Sequence, residues 1–379
     1  MNEFLATFFS FDNILFTTII PFLFVLTVVV FVHEMGHYLV GRWCGIGVTE
    51  FSIGFGPELA GFNDRRGTRW KLSAIPLGGY VKFLGDMSVT SDPSSQDAGT
   101  LDAAERKAAF HLQPVWKRAA TVFAGPAFNF LLTIAVFAVM FSIYGRTVTE
   151  PTVAEVRPGS PAEAAGFLPG DRFVTVDGAR VTTFADVQRL VSGRAGDSIV
   201  FVMARNSGEV TLTAVPELIE QTDALGNTIR LGVIGVVNNN ELGQPRHIEY
   251  GPIESVGEAV KETGHIIART GQFLQRFASG REDRCQLGGP VRIADMAGKA
   301  AALGFEWVVQ LVAILSVGIG FLNLLPIPPL DGGHLVFYGL EAAMRRPVSE
   351  RIMEIVYRIG MFAVLAFMGF VFWNDLFGC

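Results

Sequence analysis

Val28-Val29-Val30-Phe31-Val32-His33-Glu34-Met35-Gly36-His37-Tyr38-Leu39 sets a polar, metal-binding pattern inside an apolar run long enough to cross a bilayer. On a helix, His33 and His37 stand four residues apart and share one face. Two imidazoles so placed can hold one Zn2+, and Glu34 beside them can take a proton from an attacking water. The setting strengthens the motif. A charged residue at mid-bilayer costs about 2.5 kcal/mol or more, so polar groups there usually mark function. The bland alternative is a pair of interior histidines hydrogen-bonded to neighbouring helices.

Composition agrees with a membrane setting. Half of the 379 residues are hydrophobic and 17% are charged, against about 25% charged in soluble domains. The mean hydropathy is +0.39. These values describe a polytopic α-helical membrane protein with a soluble portion. A net charge of -6 with no basic stripe excludes a nucleic-acid partner. Cys44, Cys285 and Cys379 lie far apart and form no C-x-x-C pair, so they read as unpaired structural thiols; Cys285 is a redox-sensitive thiol if it lies outside the cytoplasm. Met1 to Asn13 holds no Lys or Arg, and no small-residue cleavage site follows the first apolar run. Both features favour a retained membrane helix over a signal peptide.

Four runs are long and apolar enough to span: about Ile14 to Gly41, Arg118 to Tyr144, Phe305 to Leu325 and Ile352 to Trp373. Lys and Arg crowd the first connection, from Arg42 to Arg118, and the third, at Arg345, Arg346 and Arg351. The N-terminal stub and the tail after Trp373 carry none. Both short connections are therefore expected in the cytoplasm, with both termini and the segment from Gly145 to Gly304 outside. The histidine pair then lies toward the cytoplasmic leaflet.

Between the first two spans, Val48 to Pro57 alternates and breaks at glycines like a hairpin, and Trp70 to Leu84 reads as one or two more strands. This is either a membrane-associated sheet that dips into the bilayer under cover of protein, or a small cytoplasmic sheet. Its edge could pair with an unwound substrate strand. Ser88 to Thr100 reads as a flexible tip. In the second span Pro126 predicts a kink, and Asn129 is a polar group in lipid, read as a helix-packing hydrogen-bonder ahead of a catalytic group. From Thr152 to Val237 short strands alternate with a capped helix at Ser160 to Gly166 and a helical stretch at Phe184 to Val191, a small mixed α/β module. Glu249 to Arg276 is amphipathic; Phe273, Leu274 and Phe277 belong either to the outer membrane surface or to a helix packed on the module.

The third span ends in Asn323-Leu324-Leu325-Pro326-Ile327-Pro328-Pro329-Leu330-Asp331-Gly332-Gly333-His334. Three prolines stop the helix, and backbone so exposed at membrane depth needs protein or a polar cavity to receive it. A catalytic zinc has three protein ligands and an open position, and a carboxylate can be the third. Asp331 lies at the right depth; Glu341 is the runner-up; Glu306 is at the far end of its helix. His334 is a possible ligand, or an outer group supporting one.

His33-Glu34-Met35-Gly36-His37, Gly54-Phe55-Gly56-Pro57, Gly78-Gly79-Tyr80-Val81-Lys82, Gly125-Pro126 with Asn129, and Asn323 through Gly333 together resemble the site-2 protease family of intramembrane zinc metalloproteases (peptidase family M50), most of all the bacterial regulator-of-sigma-E protease group. Ser160-Pro161-Ala162, Ala165-Gly166, Gly170-Asp171 and Asp177-Gly178 resemble one extracytoplasmic PDZ domain, where some members of the family carry two. The resemblance covers nearly the whole chain. It implies Zn2+ held by His33, His37 and Asp331, with Glu34 as base. It implies substrate contacts at Asn323, Gly54, Phe55, Gly56, Gly79 and Tyr80. The implied substrates are single-pass membrane proteins, such as anti-sigma factors or remnant signal peptides, already trimmed by another protease. The implied setting is the lipid bilayer of a bacterial inner membrane, with a peptide C-terminus as a possible ligand of the PDZ groove. The resulting division is 1–44 for the first span, 45–115 for the β region and 116–145 for the second span. The PDZ-like domain takes 150–240, a helical linker 247–300, the third span 303–340 and the fourth 350–379. Two other readings remain: an ion transporter using the same three ligands, and a PDZ scaffold with a dead site. Glu34 beside a ligand speaks for the protease, since transport has no need of a base there.

Overall fold

The computed structural model describes residues 14–85, 102–206, 208–222, 228–238, 246–280, 282 and 284–378. The expected flexible tip at Ser88 to Thr100 lies outside them. In chain order the principal elements begin with α1 (Ile20–Trp43), β1 (Val48–Asn63), β2 (Arg69–Phe83) and α2 (Val115–Tyr144). There follow β3 (Arg146–Val148), β4 (Glu155–Val156), α3 (Pro161–Ala165), β5 (Arg172–Val176), β6 (Ala179–Arg180), α4 (Phe184–Ser192), β7 (Ile199–Arg205) and β8 (Gly208–Ala214). Next are β9 (Glu217–Thr222), β10 (Thr228–Val233), β11 (Val236–Val237), β12 (Arg246–Ile248), α5 (Pro252–Ala278), α6 (Pro290–Leu303), α7 (Phe305–Asn323), α8 (Asp331–Met344) and α9 (Glu350–Trp373).

Among the described residues four helical stretches are long and apolar enough to cross a membrane: Leu15–Trp43, Val115–Tyr144, Phe305–Asn323 and Arg351–Phe377. The molecule is a polytopic membrane protein carrying β-sheets as well. Pro126 lies inside α2, which runs through it as one helix. The chain divides into two compact units, and α2 and α5 each contribute to both.

The first unit holds residues 1–137, 259–267 and 287–379. Val25 and Val29 of α1 pack with Ala297 and Ala300 of α6 and with Val308, Leu311 and Val312 of α7. The approach of α1 to α2 depends on Gly36, where a Cβ would meet the backbone carbonyl of Ala124. A second cluster joins Tyr38, Phe51, Phe83, Phe110, Val122 and Tyr338, so the β region is anchored to the helices by aromatic side chains.

In that β region the glycines bend the strand instead of ending it. Gly54 (φ +89°) and Gly56 (φ +85°) hold conformations an L side chain rarely adopts, and β1 continues past them to Asn63. The hairpin turn falls later, where Asp64 N–H donates to the Thr68 carbonyl, 2.9 Å. β1 and β2 are antiparallel partners with several register shifts, and residues 50–53 have neighbours on both sides, 79–82 and 69–72. Phe55, Leu59, Phe62, Leu72 and Ile75 are exposed, an apolar surface on the sheet.

The second unit holds residues 138–258 and 268–286. Its centre is a four-stranded sheet in the order β6-β5-β7-β8. Ile199, Phe201 and Met203 are buried from alternating positions of β7 and Phe173 and Val176 from either side of an irregularity in β5, with Ala162 of α3 and Val187 and Val191 of α4 completing the core. Ser160 caps α3, and Gly166 (φ +83°) closes it. Arg276 near the end of α5 bonds Asp197 (3.2 Å) and the Ala195 carbonyl (2.9 Å), so this end of the amphipathic helix packs on the module. The reading of all three cysteines as unpaired needs correction. Cys44 is a free thiol, but Cys285 is disulfide-bonded. Distance along the sequence does not bound distance in space.

Candidate active site

Helical spacing puts His33 and His37 on one face of α1, and their Nε2 atoms are 3.1 Å apart. The third donor comes from the far end of the chain. The stop at the prolines lets the backbone turn and restart as α8 at Asp331, with Leu330 extended (φ -73°, ψ 161°) at its N-cap. Gly332 and Gly333 make that turn possible: a Cβ on either would collide with backbone of residues 324–328. Asp331 Oδ2 then lies 3.1 Å from His33 Nε2 and 3.5 Å from His37 Nε2. It is buried, yet it makes no hydrogen bond of acceptable geometry. Three donor atoms thus converge within 4.8 Å of one another, and the carboxylate oxygen among them is left without a hydrogen bond.

This donor set suits zinc. Tetrahedral zinc with bonds of about 2.0–2.2 Å separates its ligand atoms by about 3.4 Å, close to the three distances observed. Gly125 of α2 forms the floor. A Cβ there would fall well inside contact distance of His37 Nε2 and 2.8 Å from His33 Nε2, so only a glycine leaves the space open.

The outer nitrogens of both histidines are also engaged, in each case by α2. His37 Nδ1 donates to the Thr121 carbonyl at 2.9 Å. His33 Nδ1 lies 3.2 Å from the side-chain amide of Asn129, which is wholly buried. Asn129 joins helices as the sequence predicts: its backbone accepts from Ser316 of α7 at 2.9 Å, and its side chain reaches His33 of α1, a member of the donor cluster. Thr121, Gly125 and Asn129 recur every four residues, one stripe on α2. That periodicity is visible in the sequence, but its significance appears only when the partner helix is known.

The other candidates separate. Glu34 is buried beside its histidine, and β2 passes close over it. A Cβ at Gly79 would lie 3.1 Å from Glu34 Cγ. Glu341 is committed elsewhere, to Arg118 at 2.6 Å, and is not among the converging donors. His334 also stands apart from them; its Nδ1 and Nε2 lie 2.7 and 2.9 Å from Tyr357 Oη. Gly54 and Gly56 sit at the bend of β1 with Phe55 between them, its ring stacked on Tyr80 at 6.1 Å. Tyr80 donates to Glu50 at 3.0 Å, and Lys71 reaches the same oxygen at 2.5 Å. Burial pushes the Glu50 carboxyl up, but the Lys71 and Tyr80 hydrogen bonds outweigh it and hold the group below its ordinary value. Asn323 ends α7, its side chain without a hydrogen bond among the described residues.

Known proteins resemble this chain over most of its length. The family model described as Peptidase family M50 matches residues 21–367, a span that includes both histidines and the aspartate. A Mesorhizobium japonicum protein named as a zinc metalloprotease is 75% identical over 363 residues, covering 96% of this chain and 99% of its own. A Brucella suis protein of the same description is 66% identical over 379 residues, covering all of both chains. The metalloprotease MmpA of Caulobacter vibrioides is 39% identical over 382 residues, covering 94% of this chain and 95% of its own. Likeness of this extent, along nearly the whole chain, places it in peptidase family M50, the site-2 protease family, as a zinc-dependent, membrane-embedded metalloendopeptidase.

Proposed function

We propose that this enzyme cuts the transmembrane segments of single-pass membrane proteins, such as anti-sigma factors or remnant signal peptides, after another protease has trimmed them. His33, His37 and Asp331 hold the zinc, and Glu34 is the base. The observation that carries the reading is the convergence of Nε2, Nε2 and Oδ2 from helices far apart in the chain, beside a buried glutamate.

When bound, zinc polarises the scissile carbonyl and lowers the pKa of water at the site. Glu34 takes the water proton on its carboxylate and returns it to the leaving amine. A helical substrate must first unwind. Among the described residues, 79–83 of β2 pair only with β1, on one side, so the other edge can receive an extended substrate strand, and the backbone hydrogen bonds gained offset those lost on unwinding. Gly79 brings that edge against Glu34. Phe55 and Tyr80 on the bent sheet, and Asn323 at the end of α7, hold the strand in place.

The second unit is read as one PDZ-like domain, on its four-stranded sheet with α3 and α4, and its groove accepts a peptide C-terminus. The Lys and Arg distribution supports an inner-membrane orientation with both termini and this domain outside and the metal site toward the cytoplasm. The disulfide at Cys285 supports the same orientation, since such bonds persist in oxidising compartments. The test is cleavage of a tagged single-pass substrate in cells carrying Glu34→Gln. The variant should accumulate trimmed, uncut fragments; normal cutting would rule Glu34 out as the base.

A further inference from the structure

The three donors leave one part of the α2 stripe unexplained. His33 faces the cluster with Nε2. A neutral imidazole that gives its Nε2 lone pair to a metal must carry its proton on Nδ1, and that proton needs an acceptor in a buried site. The group at Nδ1 is the Asn129 amide, 3.2 Å away, with Nδ2 toward the ring and Oδ1 buried and unbonded. Two N–H groups cannot bond each other. The oxygen and nitrogen of an amide are nearly isosteric, and the hydrogen-bond network decides which way it points. Turned by 180°, Asn129 presents Oδ1 to the Nδ1–H of His33.

We infer that Asn129 is a positioning residue for the metal site: its Oδ1 accepts from His33 Nδ1–H and holds that ring in the tautomer whose Nε2 is free to bind the ion. The inference rests on the zinc reading proposed above. It gives α2 one role at both histidines, because the Thr121 carbonyl already does the same for His37 at 2.9 Å. Gly125, midway between them, keeps the space between the rings open. The backbone carbonyl of Asn129 is separately held by Thr133 Oγ1 (3.1 Å) and Ser316 Oγ (2.9 Å), so the residue's place does not depend on its amide.

The full-length protein in detergent tests this through metal affinity. Zinc is titrated against a competing chelator in wild type, Asn129→Leu and Asn129→Asp. The leucine variant should lose about 10- to 100-fold in affinity, the usual cost of losing such an outer partner. The aspartate variant, which keeps an acceptor oxygen, should stay within a few-fold of wild type. Equal affinity in all three would overturn the inference, as would equal loss in both variants. Wild type that takes up no zinc would overturn the reading beneath it instead. A readout that needs no variant guards against misfolding: in zinc-loaded wild type labelled with 15N-histidine, His33 should show a protonated Nδ1 and a metal-shifted Nε2. The reverse pattern would exclude Asn129 as acceptor.

Discussion

Arg118 near the start of α2 grips Glu341 on α8, Nη2 to Oε1 at 2.6 Å, and the guanidinium carbon also lies 5.0 Å from the Tyr338 ring centroid. Asp331 opens the same helix, so this pair helps hold the proposed metal ligand in place from nearly three turns away. Both side chains are largely buried. Breaking the pair should cost more than the ~1 kcal/mol of an exposed pair and less than the ~3–5 kcal/mol of a fully buried one. Arg118→Ala and Glu341→Ala should each lower both thermal stability and zinc retention. In a double-mutant cycle the double variant should be less damaged than the two losses summed. Strict additivity would mean that the pair does not couple.

Glu34 and Asp331 should fail in different ways. Glu34→Gln removes the proposed base and keeps a side chain of the same shape, so cleavage should fall about 10²- to 10⁴-fold with zinc still bound at one per chain. Asp331→Ala removes a donor, so zinc itself should be lost. Metal analysis of purified variants beside a cleavage assay separates the two. Full zinc occupancy in Asp331→Ala would remove that residue from the ligand set.

Gly125→Ala is the smallest change that should close the site. The added methyl has nowhere to go but between the histidine rings. Overpacking of this kind costs about 1–3 kcal/mol, which here should appear as a roughly 10- to 100-fold loss of zinc affinity. Gly264→Ala is the control. That glycine is exposed on α5 with open space where its Cβ would be, so the change should leave metal binding alone and stabilise the helix by about 1 kcal/mol.

The second unit should show a pH dependence at the start of α4. Burial pushes the Asp186 carboxyl up, but hydrogen bonds from the Thr183 N–H and from the Thr182 hydroxyl and N–H outweigh it, lowering the group from 3.8 to about 2. A depressed folded value means that the carboxylate stabilises the fold above the unfolded value of 3.8 and stops doing so as the pH falls through about 2. Asp186→Asn should therefore speed hydrogen exchange in residues 184–192 at pH 7. The gap from wild type should narrow between pH 4 and pH 2. A gap unchanged over that range would mean that the charge is not what stabilises the cap.

What the sequence determined by itself was whatever repeats over a few residues or needs only length. Four apolar runs predict four spanning helices, because bilayer thickness sets the length of a span. The i, i+4 spacing of His33 and His37 settles that they share a face. Ser160 and Gly166 mark the ends of their helix through local chemistry that no distant residue alters.

Depth along the third span already ranks Asp331 above Glu341, and the folded chain adds where each acid goes. Both are acids on α8, and no local signal says that Glu341 is taken up by Arg118 of α2. The same holds for Asn129, read as a helix-packing hydrogen-bonder with no sign of which helix its amide meets, and for Cys285, whose partner no spacing reveals. These outcomes depend on which helices cross and how closely. That is set by packing summed over many side chains, and by glycines such as Gly36 and Gly125 whose importance lies in atoms they lack.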